Sequence, residues 1–309
     1  MKSKIYVIGS SNTDMVVKSN FLPKPGETVI GDTFLMNPGG KGANQAVSAC
    51  KLGADVTFIT KVGNDMFGKK AVNNFKKIGI KTDYIRIDKN NSSGVAIIMV
   101  DRSGENSISV APGANNSLTI KDVNFIEEKL KADDYVLIQL EIPKTVVEYL
   151  IEICNKLKVK LILNPAPFQK ISDYHLSQVN TITPNEIETE YLSGIKVKDN
   201  ETAKKASEIL INKGIKNIII TMGEKGAFYK SSSFEGLIPT KKVSVIDSTA
   251  AGDTFNGALV AGLSMKMDML TSIDFANNAA TYSVTKLGAQ SSAPSINDLN
   301  NKFLKYVHS

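Results

Sequence analysis

Short, nearly continuous apolar runs alternate along this chain with longer stretches whose apolar residues recur every three or four positions. The runs Ile5–Ile8, Val56–Lys61, Tyr135–Leu140, Lys160–Leu163, Thr181–Thr183 and Asn217–Thr221 predict strands. The stretches Gly42–Leu52, Phe67–Ile78, Ile120–Lys131, Thr145–Leu157, Glu186–Leu192 and Ala203–Lys213 predict helices. Gly53 and Gly79 stand where two of these should stop. Such alternation predicts an α/β fold in which helices cover both faces of a mostly parallel sheet.

Two regions break the pattern. Ser11–Asn37 holds the runs Met15–Val17 and Thr28–Ile30, separated by Pro23, Pro25 and Gly26. Gly94–Val100 and Asn106–Val110 flank Asp101–Glu105, a hairpin turn by composition. Four short strands from these segments, about 12–37 and 93–111, predict a small sheet standing off the main body as a lid. Its exposed edges suggest a partner subunit. With no repeat or linker, residues 1–309 read as one domain carrying an inserted, discontinuous lid.

The chemistry gathers around Asp247–Gly257. Lys242–Ile246 reads as a strand, and the apolar spacing from Phe255 to Leu263 reads as a helix. The small residues Ala250, Ala251 and Gly252 between them leave unpaired N–H groups at a positive helix terminus, an anion hole with Asp253 beside it. A capping aspartate is the plainer reading of this segment taken alone.

Other candidates follow strands. Asn12 and Asp14 come after the first strand and suit hydroxyl groups, and Glu141 occupies an equivalent place. The stretch Asn37–Ala46 contributes Gly39, Gly40 and Gly42 for close approach, with Lys41 and Asn44 as donors. It lacks the order of a P-loop. Asn185 and Glu188, three apart on a helix, suit hydrated Mg²⁺ and phosphate. Thr221–Gly226 makes a tight glycine turn. Together these residues suggest phosphoryl transfer to an alcohol.

Composition removes several rivals. The chain has 309 residues, 42% apolar and 22% charged, as in ordinary soluble domains. Cys50, Cys154, His175 and His308 form no metal spacing or disulfide framework, and His175 has no nucleophile motif near it. The net charge of +6 comes mostly from scattered lysines, with Arg86 and Arg102 the only arginines, which gives nucleic-acid binding no support. No signal peptide or membrane span is evident, and a cytoplasmic location is expected.

Four motifs in order carry a family resemblance: Gly9–Asp14, Pro38–Ala46, Thr183–Glu188 and Asp247–Gly257. Through them the chain, from Ile5 to about Pro294, resembles the ribokinase, or PfkB-type carbohydrate kinase, family. The resemblance implies a three-layer ribokinase-like fold and ATP-dependent phosphorylation of D-ribose at its 5-hydroxyl. By this likeness Asn12, Asp14, Gly40, Lys41, Asn44 and Glu141 contact ribose. Asp253 is the general base, and the amides of Ala250, Ala251, Gly252 and Asp253 stabilise the moving phosphoryl group. Asn185 and Glu188 serve the phosphate–Mg²⁺ region. Thr221, Gly223, Gly226 and Asn277 line the nucleotide site. A monovalent cation, usually K⁺, is implied at Asp247, Thr249, Ser283, Lys286, Gly288 and Ser292, and a homodimer through the lid strands. Many relatives have glycine at position 250; alanine keeps the N–H, and the hole is expected to survive if φ is negative there. The rivals are a sister kinase for deoxyribose, fructose, a sugar acid or a nucleoside, and a non-catalytic sugar sensor.

Overall fold

Apolar runs without polar interruption need partners on both faces. In the computed structural model, which describes residues 3–299, 303 and 306, they find them. Among these residues the strands are β1 (Ile5–Ile8), β2 (Asn12–Lys18), β3 (Thr33–Gly39), β4 (Val56–Ile59), β5 (Lys61–Gly63), β6 (Arg86–Asp88) and β7 (Gly94–Val100). There follow β8 (Asn106–Ala111), β9 (Tyr135–Ile138), β10 (Lys160–Leu163), β11 (Thr181–Ile182), β12 (Asn217–Thr221), β13 (Ala227–Lys230) and β14 (Glu235–Ile238). The longer helices are α1 (Lys41–Lys51), α2 (Met66–Ile78), α3 (Lys144–Leu157), α4 (Glu186–Ser193), α5 (Asn200–Asn212), α6 (Ala251–Ser264) and α7 (Met269–Ser283).

The large sheet runs β14-β13-β12-β11-β10-β9-β1-β4, parallel from β12 to β4 and antiparallel at β13 and β14. Alternate residues of one strand supply two cores. Ile5, Val7 and Leu137 pack with Val47 of α1, Leu259 of α6 and Phe275 of α7. Tyr6, Ile8, Val136 and Ile138 pack with Leu150 of α3 and Leu210 of α5. The chain leaves β1 toward β4 on one side, while β9 through β12 extend on the other. This reversal opens a crevice beyond the carboxyl ends of β1 and β9, where open α/β sheets hold ligands.

The small sheet is ordered β3-β2-β7-β8, from the two segments that broke the alternation. Its register sets Asn12 opposite both Gly39 and Gly94, and Asp14 opposite Asn37 and Ala96. Strands β3 and β8 are its edges, and Pro38 is accommodated on an edge because its missing N–H breaks no internal ladder.

Three predicted elements differ. Thr28–Ile30 is not a strand: Pro23, Pro25 and Gly26 hold a loop there, Ile30 is 91% exposed, and the strand forms instead at Thr33–Gly39. The helix expected over Ile120–Lys131 is two short turns, Ile120–Val123 and Ile126–Lys129. Lys242–Ile246 finds no neighbouring strand and stays extended and exposed, apart from the Ile246 N–H, which donates to the Val284 carbonyl at 2.8 Å. His308 lies outside the described residues. No helix among the described residues is long and apolar enough to cross a membrane.

Candidate active site

Helix α6 starts beyond the carboxyl ends of the central strands, and its opening turn determines what its N-terminus can do. Ala250 has φ +59°, in the left-handed region, so the condition of a negative φ there is not met. Alanine is strained there by about 1 kcal/mol relative to glycine. The turn directs the Ala251 N–H to the Ser248 carbonyl at 3.2 Å and the Thr254 N–H to the Ala250 carbonyl at 2.8 Å. Of the four amides expected in the anion hole, Ala251 is therefore engaged. The N–H groups of Gly252 and Asp253 have no acceptor among the described residues. Residues 250–253 line a cavity of about 200 Å³ with Lys41, Asn164, Thr183, Asn185, Glu188, Thr221 and Ser248.

Asp253 does not cap α6, which has no side-chain cap. It is 6% exposed and reaches across to α1, where Asn44 Nδ2 donates to Oδ2 and Gln45 Nε2 to Oδ1, each at 2.9 Å. Gln45 Nε2 also donates to Asn164 Oδ1 at 3.0 Å, while Gln45 Oε1 accepts from Gln139 Nε2 at 2.6 Å. Asn164 Nδ2 donates to the Thr183 carbonyl at 3.2 Å. An amide lattice spanning the ends of β9, β10 and β11 thus holds the carboxylate in one orientation, with Lys41 beside it. The nearby Asp253 carboxylate raises the Lys41 pKa, and Glu141 and Glu188 add to the effect against the opposing cost of burial.

On the small-sheet side, Asn12 and Asp14 share one face of β2. The Asp14 carboxyl is pushed up to about 6, chiefly by burial and then by the negative charges of Glu141 and Asp253. Glu141 closes the N-terminus of α1. Its Oε2 accepts from the Lys41 N–H at 3.0 Å and from Ser10 Oγ at 2.5 Å. The substrate candidates Asn12, Asp14, Gly40, Lys41, Asn44 and Glu141 thereby gather around the start of α1 and the end of β1.

A second cavity of about 600 Å³ adjoins the first and shares Asn185, Thr221, Ser248, Ala251 and Gly252 with it. Val243, Val245, Phe255, Ala280 and Val284 give it apolar walls suited to a planar heterocycle, and Lys241 and Lys242 add positive charge. The segment misread as a strand is one of these walls. Gly223, Gly226 and Asn277 also line this cavity. The Asn277 amide also donates to the Ile238 carbonyl at 2.9 Å and so ties α7 to the edge of the sheet.

Asn185 and Glu188 form a reciprocal capping box on α4: the Asn185 N–H donates to Glu188 Oε2 at 2.9 Å, and the Glu188 N–H to Asn185 Oδ1 at 2.8 Å. The pair does the work of a helix start, yet both residues line the small cavity. Burial raises the Glu188 pKa against the opposing effects of the Asn185 N–H and Lys41. A buried carboxylate beside a phosphate-sized space fits Mg²⁺, which binds through one or two carboxylates, phosphates and retained waters. Asp247 Oδ1 accepts from the Thr249 N–H at 2.9 Å, and Oδ2 from the Gly288 N–H at 2.8 Å. Two of the cation candidates are thus clamped to a third. Ser283 Oγ donates to the Ala280 carbonyl at the end of α7, Ser292 Oγ donates to the Ala289 carbonyl across a turn, and Lys286 lies over the Tyr282 ring.

Sequence reasoning missed Gln45, Asn164, Gln139, Ser10 and Asn115. Asn164 directly follows β10 and was findable by the rule that selected Glu141. Gln139 was hidden inside an expected strand, and Asn115 sits in a short polar 3₁₀ turn, Gly113–Ser117, that carries no signal.

The family model described as pfkB family carbohydrate kinase matches residues 2–296. The chain is 44% identical over 294 residues to the ribokinase of Haemophilus influenzae, covering 95% of this chain and 96% of that protein. It is 38% identical over 297 residues to the deoxyribokinase of Salmonella typhi, covering 96% and 97%. The solved structure of Arabidopsis thaliana ribokinase complexed with ribose and ATP matches it with a TM-score of 0.89 at 28% identity, covering 100% of both chains.

Proposed function

The chain belongs to the pfkB family of carbohydrate kinases, and from that membership we propose that it transfers the γ-phosphoryl group of ATP to the 5-hydroxyl of D-ribose. The observation that carries the reading is Asp253, a carboxylate held by Asn44 and Gln45 at the start of α6 and lining the cavity that Lys41 and Glu188 share.

In this mechanism the sugar lies between Asn12, Asp14 and Glu141 on one side and Asn44 and Lys41 on the other. Asp253 accepts the proton of the attacking hydroxyl. That step typically contributes about 10²–10⁴-fold. The amides of Gly252 and Asp253 and the dipole of α6 stabilise charge on the phosphoryl oxygens, which is most of what such a transfer needs. Lys41 balances the surrounding carboxylates and the incoming phosphate. The base and phosphate roles have no further requirement of Ala251 beyond its turn with Ser248.

The nucleotide occupies the larger cavity, its base between Val243, Val245 and Ala280 and its phosphates toward Asn185, Thr221 and Gly252. Mg²⁺ bound with it supplies charge neutralisation, and Glu188 would hold that ion. K⁺ would sit at the Asp247–Thr249 and Ser283–Ser292 loops, which support the start of α6. The small sheet acts as a lid. Phe34, Leu35, Ile97, Ile108 and Val110 leave it partly apolar and exposed, which supports dimer formation through the lid strands. Light scattering giving twice the chain mass checks the dimer.

The substrate assignment is tested by ATP turnover on ribose, 2-deoxyribose, fructose and adenosine. Ribose should give the highest kcat/KM. A competitor that is turned over faster removes ribose as the substrate while leaving the kinase chemistry intact.

A further inference from the structure

Asn115, 2% exposed in the short 3₁₀ turn Gly113–Ser117, meets the proposed sugar site through Asn12. Its Oδ1 accepts from the Ser11 N–H at 2.9 Å, and its Nδ2 donates to the Ser11 carbonyl at 3.3 Å and to Asn12 Oδ1 at 2.7 Å. A main chain cannot exchange its donor for its acceptor, so Ser11 sets the orientation of the Asn115 amide. That NH₂ then claims Asn12 Oδ1, because reversing Asn12 would set two NH₂ groups against each other. Gly94 closes the remaining space: a Cβ there would lie 2.2 Å from Asn12 Oδ1 and 2.3 Å from Asn115 Nδ2. Asn12 Nδ2 has no acceptor among the described residues.

We propose that Asn115 is a positioning residue for sugar specificity, holding the Asn12 amide with its N–H groups toward the substrate so that β2 presents a donor at Asn12 and an acceptor at Asp14. This deepens the ribose reading above and rests on it. A sugar hydroxyl has one hydrogen. Once that hydrogen is given to an acceptor such as Asp14, only lone pairs remain for Asn12, and a donor is the matching partner. A sugar lacking that oxygen leaves an N–H of the buried Asn12 unpaired, which is how a polar site rejects a deoxy analogue. A freely rotating Asn12 would offer its carbonyl part of the time and discriminate less.

The test compares kcat/KM for ribose and 2-deoxyribose in the intact enzyme and in Asn12→Leu, Asn115→Leu and the double variant. Asn115→Asp serves as the isosteric control, keeping an acceptor for the Ser11 N–H while removing the donor to Asn12. Either Asn115 substitution should lower the ribose preference by about tenfold, mainly through the ribose KM. The double variant should show no less preference than Asn12→Leu alone. If both sugars slow equally in Asn115→Leu and Asn115→Asp while Asn12→Leu changes the ratio, Asn115 is only a scaffold and the proposal is overturned. If Asn12→Leu also leaves the ratio unchanged, the assignment of Asn12 to the sugar falls and takes this proposal with it. A failure of kinase turnover in the unaltered enzyme would instead count against the functional reading itself.

Discussion

Gln45 Nε2 donates to Asp253 Oδ1 at 2.9 Å, joining α1, which carries Lys41 and Asn44, to α6, which carries the carboxylate proposed as the base. Asn164 sets the sense of this bond: its Nδ2 donates to the Thr183 main-chain carbonyl at 3.2 Å, which leaves its Oδ1 to accept from Gln45 Nε2 at 3.0 Å. Gln45 therefore turns its NH₂ group to the carboxylate. A hydrogen bond to an ionised group is worth about 1.5–3 kcal/mol.

Gln45→Leu removes that donor and leaves Asp253 Oδ1 without its side-chain partner, so the carboxylate loses part of the orientation that α1 imposes. The kcat at neutral pH should fall about tenfold while the ATP KM changes little. An unchanged kcat would show that the lattice does not position Asp253 for the transfer.

Asp14 gives a second pH signature. Its carboxyl, pushed up to about 6 from 3.8, binds its proton more tightly in the folded chain than in the unfolded one. Ionising it as pH rises from about 4 to about 6 therefore costs stability. Asp14→Asn should raise stability above pH 6 by about 1–3 kcal/mol and leave it unchanged below pH 4, read from denaturant melts. The same variant should bind sugar more weakly at neutral pH. In the unaltered enzyme, the ribose KM should climb as pH drops below about 6, because the acceptor becomes neutral. A flat ribose KM between pH 5 and 7 would argue against Asp14 as a sugar contact.

Ala250 carries a conformational cost that glycine avoids. With φ at +59°, Ala250→Gly should keep activity and change stability by no more than about 1 kcal/mol, in the stabilising direction. Ala250→Val should destabilise and depress kcat together, because a β-branched residue fits the left-handed turn poorly. Thermal melts alongside kcat check both.

Gly226 tests the proposal that the larger cavity holds the nucleotide. Its φ is +104°, and a Cβ there would lie 2.2 Å from the Ile238 carbonyl, the same carbonyl that accepts from Asn277. Gly226→Ala should push β14 from its register and raise the ATP KM several-fold, with the ribose KM little changed. Equal effects on both substrates would place the damage elsewhere.

Much of this could be read from residue order, and the exceptions have physical causes. The parallel strands were legible because burial on both faces demands unbroken apolar runs such as Ile5–Ile8. The start of α6 was legible because small residues before an apolar period leave amides open. Lys242–Ile246 misled because β-branched residues also make good walls for a flat ligand, and composition does not say which use applies. The φ of Ala250 and the engagement of the Ala251 N–H depend on the turn with Ser248, which no spacing reveals. Gln45 and Asn115 act through partners 208 and 103 positions away, respectively, so only the folded chain brings their roles into view.

The most direct measurement is single-turnover phosphoryl transfer by Asp253→Asn, with nucleotide affinity followed in parallel. The substitution keeps the size of the side chain while removing its ability to take a proton. It also sets an NH₂ against one of the two donors, Asn44 and Gln45. Transfer should slow by about 10²–10⁴-fold while ATP affinity stays within about threefold. Transfer at close to the unaltered rate, with ATP bound normally, would contradict the assignment of Asp253 as the base.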